Sequence, residues 1–244
     1  MALLTVSARE MFTEGEEIDM FRVLMATYLV LLLLQSPALA KGDLTDILEG
    51  IRKNYGDLPG LTLSYSREVI TKTMAMLGNQ VKGDLATGHM FFKPPYFLRL
   101  SQETPKPETV IADEDTIWWY IPDENRVYKS SAKEFGKELR LLSDIFQGLI
   151  QVQERFQVTL LDPNELGEDQ IELKPKTPWE NIDRIVLAVT SGYHIRMVGI
   201  HYQLGSVTLF TLKDIAAKED FDKGFFTFVV PEGVKIVEEK GLQQ

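Results

Sequence analysis

The chain has 244 residues, with 26 Lys and Arg against 36 Asp and Glu, a formal net charge of -10, and no cysteine. That acidity argues against a nucleic-acid partner, which calls for a basic patch or stripe to neutralise phosphates. The lack of thiols excludes a disulfide framework, a redox motif and a thiolate metal site. A chain of this length that is 44% hydrophobic can bury a core without any of them.

The first feature in chain order is a targeting segment. Residues 23–34 carry no charge, follow Arg22, and lead through Gln35, Ser36 and Pro37 into Ala38-Leu39-Ala40. A basic flank, a short apolar stretch and small residues in A-x-A spacing make a secretory signal peptide. The stretch falls short of the roughly 20 residues that a membrane span needs. Glu14, Glu16, Glu17 and Asp19 do not suit such a leader, which puts the true start at Met20. Cleavage after Ala40 leaves residues 41–244 as one exported domain, and with no cysteine at the cleavage site no lipid can be attached there.

Leu44, Ile47, Leu48, Ile51 and Tyr55 recur at helical spacing and form one apolar face, closed by Gly56 and Pro59-Gly60. The period then changes to two. Leu61, Leu63, Tyr65 and Val69 alternate with Thr62, Ser64, Ser66 and Glu68, as in a half-buried antiparallel strand. A strand is expected through residues 81–92, broken at Lys93-Pro94-Pro95 because prolines cannot sit inside a ladder. Tyr96, Leu98 and Leu100 then face one way, with Phe97 and Arg99 the other, the Arg99 side towards solvent. Val110 to Ala112 and Ile117 to Ile121 flank a hairpin turn at Asp113-Glu114-Asp115, and a short strand follows over residues 126–129. Leu139, Leu142, Phe146 and Leu149 mark a second helix, with Ile145 and Ile150 beside them. Strands resume around residues 171–173, 185–189, 195–202, 207–212 and 225–230. The reading is an α+β domain with a long antiparallel sheet interrupted by helices.

Little in the sequence suggests catalysis or metal binding. His89, His194 and His201 fall on strands or strand ends without a helical H-x-x-x-H pair. No nucleophile elbow, phosphate loop or dinucleotide fingerprint occurs. The acidic residues Glu103, Glu108, Asp113, Glu114 and Asp115 read as solvated loop charge. The expectation is a non-enzyme with no cofactor and no metal. What stands out is large apolar residues in both phases of the strands: Trp118-Trp119-Tyr120, Phe91-Phe92, Tyr96-Phe97-Leu98 and Phe225-Phe226. A sheet covered on both sides accounts for this, and so does a curved sheet whose concave side lines a ligand cavity.

Three stretches together resemble the LolA family of outer-membrane lipoprotein carriers. They are Gly88-His89-Met90-Phe91-Phe92-Lys93-Pro94-Pro95-Tyr96-Phe97-Leu98-Arg99-Leu100, then Val110-Ile111-Ala112-Asp113 with Thr116-Ile117-Trp118-Trp119-Tyr120-Ile121-Pro122, and Phe226-Thr227-Phe228-Val229-Val230-Pro231-Glu232-Gly233-Val234. Ile171-Glu172-Leu173-Lys174-Pro175-Lys176 is similar to the family's mid-chain strand and turn. The resemblance implies an unclosed antiparallel β-barrel with a lid of α-helices over an apolar cavity. It points to Leu63, Tyr65, Phe92, Tyr96, Leu98, Leu100 and Trp119 as the lipid-binding lining, and to Leu142, Phe146 and Leu149 as the lid. It implies a monomeric, periplasmic carrier of acylated lipoproteins, loaded by an inner-membrane ABC lipoprotein-release transporter and unloaded at an outer-membrane lipoprotein receptor. A carrier of another lipid, or a lipid-sensing interaction module on the same scaffold, are the alternatives. The sequence departs from the family pattern twice. Glu114 replaces the hairpin glycine, and Pro94 replaces the arginine associated with lid release, leaving Lys93, Pro94 and Arg99 as the candidate release region.

Overall fold

Asp43 starts the first helix, its carboxylate accepting the Thr45 N–H at 2.8 Å, which satisfies one of the donors that a helix start leaves open. The helix, α1 (Leu44–Tyr55), turns Ile47, Ile51 and Tyr55 inward and carries Arg52 and Lys53 in its last turn, where they complement the helix dipole. A computed structural model of the chain describes residues 43–77, 83–132, 137–179 and 181–238. The leader expected over residues 1–40 lies outside them. Among the described residues no helix is long and apolar enough to cross a membrane.

After α1 come β1 (Leu61–Ile70), α2 (Lys72–Leu77), β2 (Asp84–Lys93), β3 (Phe97–Thr104), β4 (Glu108–Ala112), β5 (Thr116–Ile121) and β6 (Arg126–Ser131). Then follow α3 (Lys137–Phe146), α4 (Val152–Arg155), β7 (Phe156–Leu160), β8 (Asp169–Pro175), β9 (Ile182–Val189), β10 (Ile195–Tyr202), β11 (Val207–Ala217) and β12 (Lys235–Glu238). The strands form one sheet in the order β12-β6-β5-β4-β3-β2-β1-β11-β10-β9-β8-β7. Every pairing is antiparallel except that of β12 with β6. The sheet ends on β12 at one edge and β7 at the other, so it is curved but unclosed.

Bulges help to bend it. The register shifts between Thr62 and Ser64 on β1, between Thr87 and Gly88 on β2, and near both ends of β10, and each such irregularity raises local twist. Gly88 is required at its bulge, because a Cβ there would stand 2.0 Å from the Ser101 carbonyl oxygen. The β4–β5 turn needs no glycine. Asp113 Oδ1 accepts the N–H groups of Asp115 at 2.9 Å and Thr116 at 2.7 Å, an Asx-type closure that holds the loop without a left-handed residue at Glu114.

Both faces of the strands are covered, by different things. On one face, Leu61, Leu63, Met90, Phe92, Leu98 and Leu100 join Ile185, Leu187 and Val198 in a single apolar cluster with α1 and α3. On the other, the segment after β11 crosses the strands as an irregular strap. Phe225 packs edge-on to Phe91 at 5.0 Å, Phe226 meets Phe97 at 5.7 Å, and Phe228 stacks on Trp118 at 5.5 Å. The strand expected over residues 225–230 is therefore absent, since these aromatics are held by ring contacts rather than by a ladder. The Arg99 side is likewise not open to solvent. Arg99 donates to the Phe225 carbonyl at 2.9 Å, and its guanidinium lies 4.9 Å from the centre of the Phe225 ring.

Candidate functional site

The face bearing α1 and α3 is where the sequence puts its lipid-binding residues. Leu63, Tyr65, Phe92, Leu98 and Leu100 all point into it and are buried. Leu61 pairs with Phe92 and Phe92 with Leu98 across adjacent strands, while Leu63, Met90 and Leu100 form the next row. Two expected members sit elsewhere. Tyr96 lies in the turn before β3 and is 44% exposed, because the Pro94-Pro95 pair extends the turn by one residue beyond the alternation. Trp119 is in the inward phase of β5, opposite Val110 and Tyr128, yet is 39% exposed. It donates from its indole nitrogen to Glu108 at 2.9 Å and packs on Tyr128 at 5.3 Å. It marks the part of the face that the helices leave uncovered.

Of the expected lid residues, Leu142 and Phe146 lie on α3 and Leu149 just beyond it. Gly148 and Leu149 both adopt positive φ, 75° and 55°, so the chain turns sharply there instead of continuing the helix. Gly148 also lets the chain approach α1 closely, since a Cβ would stand 2.9 Å from the Arg52 Cα. A cleft of about 380 Å³ separates α1 from the segment after this turn, lined by Leu48, Arg52, Leu149 and Val152 among others. Leu141, Leu142, Ile145 and Phe146 are all buried, and the Phe146 ring lies 5.7 Å from that of Phe92. Leu63, Phe92 and Leu98 are each 1% exposed and share one apolar cluster with these helix side chains, which pack onto the concave face.

Gln147 donates to the Pro95 carbonyl at 3.1 Å and the Ser143 carbonyl at 3.2 Å, linking the end of α3 to the β2–β3 turn. Arg155 pairs with Asp144. Lys93 and Pro94 belong to the region that Gln147 touches, whereas Arg99 is engaged by the strap on the opposite face. On the α1 side, the buried Tyr55 hydroxyl accepts the Ile195 N–H at 3.0 Å. Burial raises the pKa of that phenol.

One group on this face is missing from the set that the sequence points to. Arg67 occupies the apolar phase of β1, where the alternation Leu61, Leu63, Tyr65 should have supplied another hydrophobe. It donates to Gln102 Oε1 at 3.1 Å, and Gln102 is itself buried. Beside it, burial pushes the Tyr65 phenol up to about 12, with Arg67 opposing the shift and Glu108 and Glu103 adding to it. The three histidines are dispersed: His89 faces Glu103 at 3.4 Å on the strap side, His194 packs edge-on to Tyr55, and His201 on β10 has its pKa lowered by burial. Among the described residues no three His, Cys, Asp or Glu side chains converge on a metal-sized site.

The model of the family described as outer membrane lipoprotein carrier protein LolA matches residues 76–229. The chain belongs to the LolA family. An outer-membrane lipoprotein carrier protein from Nitrosospira multiformis is 25% identical over 201 residues, covering 81% of this chain and 88% of that protein. Its namesake in Alkalilimnicola ehrlichii is 22% identical over 222 residues, covering 91% and 95%. Among solved structures, a LolA-superfamily protein from Nitrosomonas europaea aligns over 75% of this chain and 97% of its own, with a TM-score of 0.44 and 12% identity. Within the LolA family match fall β2 to β11, the helix α3 and most of the aromatic strap. The helix α1, which packs beside α3, precedes it.

Proposed function

We propose that this protein is a periplasmic carrier that receives the acyl chains of lipoproteins on its concave face and moves them from the inner to the outer membrane. The observation that carries the reading is that this face is apolar and is closed by short helices, not by a second sheet. Leu141, Leu142, Ile145 and Phe146 meet the sheet in one apolar cluster. Acyl carbon can therefore replace helix side chains like for like, and burying it is worth about 0.8 kcal/mol per methylene. Helix α3 leaves its seat through the Gly148-Leu149 turn, and the Gln147–Pro95 contact links its position to the β2–β3 turn with Lys93 and Pro94. An inner-membrane ABC transporter loads the carrier and an outer-membrane receptor empties it. The chain acts as a monomer, without catalysis.

The test is direct. The exported protein should begin at Lys41, and when purified it should bind a fluorescent triacylated lipopeptide saturably and in a 1:1 ratio. A lid tethered to the sheet by a disulfide engineered between α3 and β3 should block uptake under oxidising conditions and restore it on reduction. A product that keeps residues 23–34 in the membrane, or a purified protein that binds no lipopeptide, refutes the reading.

A further inference from the structure

The concave face carries a polar patch that burial of acyl chains does not explain. Arg67 stands across the ladder from Ala86 on β2 and Phe210 on β11. Its guanidinium reaches Gln102, and Gln102 in turn donates to the Lys106 carbonyl at 2.9 Å. Two donors are left over. The Tyr65 hydroxyl and the Arg67 Nε–H are both buried and have no hydrogen-bond partner. Tyr65 is 3% exposed, and the two residues are two apart on one strand, so they share a face. Buried polar atoms are nearly always satisfied, so two neighbouring orphans call for a partner that the protein's own groups do not supply.

We propose that Tyr65 and Arg67 form a subsite that accepts an ester carbonyl oxygen, the linkage by which acyl chains are joined to the cargo's glyceryl group. The inference rests on the carrier reading and adds where the head of the lipid sits. The Arg67 Nε–H can only donate and the Tyr65 hydroxyl can donate as well as accept, so an acceptor is what satisfies both. An ester carbonyl is such an acceptor and carries no donor of its own to be satisfied. The acceptors at hand are engaged: Gln102 Oε1 takes Arg67, and Glu108 Oε2 takes the Trp119 indole. Charge argues against an anion. Glu108 stands on this face opposite Gln102, so a phosphate or free carboxylate would meet a like charge beside Arg67. The geometry also orders the ligand along the face. Leu63, Met90 and Leu100 form the row next to Tyr65, and the same row runs on through Val110 to Trp119 and Tyr128. A carbonyl held at Tyr65 and Arg67 lies beside this apolar row, along which its acyl chain extends.

The experiment uses the full exported chain and a dipalmitoylglyceryl-cysteine peptide, compared with its dialkyl ether analogue, in which both ester carbonyls are methylenes. Tyr65→Phe and Arg67→Met are each expected to weaken binding of the ester probe about five- to tenfold. Binding of the ether probe should stay within about twofold (no ester carbonyl remains to lose), and Tyr65→Phe should melt no lower than wild type at neutral pH because it deletes an orphan hydroxyl. Tyr65→Phe is isosteric, so the test survives if Arg67→Met fails to fold. Equal losses for the ester and ether probes, or no loss for either, overturn the subsite while leaving the carrier reading intact. A larger loss for palmitate or lysophosphatidylglycerol than for the ester probe overturns it in favour of an anion site. If wild type binds neither peptide, the carrier reading fails first and the subsite falls with it.

Discussion

Phe146 is the side chain through which the lid assignment can be broken. It is 1% exposed and packs against Phe92, so Phe146→Ala removes a fully buried ring from a filled site. Truncations of this kind cost about 3–5 kcal/mol where neighbours cannot collapse into the space. If α3 opens as a lid, that cost falls on the seating of the helix and not on the sheet. A loss of about 3 kcal/mol shifts the closing equilibrium by roughly a hundredfold. Native-state hydrogen exchange reads the shift residue by residue. Amides of α3 should lose about two orders of magnitude in protection, while those of β1, β2, β10 and β11 keep theirs. The apparent affinity for a lipopeptide should rise in parallel until the open form predominates, because the helix no longer competes as strongly with cargo. Equal loss of protection in α3 and in the central strands would refute the reasoning. The helix would then be part of one cooperative core, with no separate opening for cargo to exploit.

In the cargo-free protein Leu98→Ala should cost about 2–5 kcal/mol in urea denaturation, as in a packed core, and a cost below about 1 kcal/mol would show that the face holds an empty trough. Tyr65 has a folded pKa of about 12 against an ordinary 10.0. Its contribution is therefore fully present below pH 10 and lost as pH rises from about 10 to 12, a change of about 2–3 kcal/mol. Tyr65→Phe should keep stability through that window in an alkaline titration followed by circular dichroism, and parallel losses in both proteins would contradict the assignment. Arg99→Ala removes the hydrogen bond and ring contact that hold Phe225, so the strap should loosen at a cost of about 1–3 kcal/mol. Unchanged binding of an apolar dye to the exposed phenylalanines would show that the strap is held without Arg99.

Where one face of an element packs against a partner, the sequence carries its outline. The helical spacing of Leu44 to Tyr55 and the alternation of Leu61, Leu63 and Tyr65 are direct records of burial, and both elements stand where the periods put them. The strap misleads for a physical reason. Phe225 to Val230 has strand-like composition, but β propensity reports fit to a pleated, half-buried surface rather than a ladder, and these rings lie on a sheet without joining it. The short elements α2, α4, β7 and β12 leave no pattern long enough to read. Leu149 reads as part of a helix face because its spacing from Leu142 and Phe146 is helical. The left-handed turn at Gly148 and Leu149 is set by the close approach of α1, which no local pattern encodes.

The candidate site divides along the same line. Alternation fixes which side chains share a face, so Leu63, Phe92, Leu98 and Leu100 are legible as a set. Whether that face is empty or filled depends on what α3 does, and that depends on long-range packing. The filled state has a consequence for release. In an empty trough, each methylene of cargo would contribute its full transfer free energy of about 0.8 kcal/mol, and several long chains would then be held too tightly to leave. In a filled one, cargo must displace Leu141, Leu142, Ile145 and Phe146, whose return to the face offsets much of that gain when cargo departs. Under the proposed function the two occupants compete for the same surface, and release costs only the difference between them. Arg67 is legible too, as the one break in the apolar phase of β1. Its meaning is not, because an arginine at that phase reads equally as a strand end until the unpaired Nε and the neighbouring Tyr65 hydroxyl are seen together.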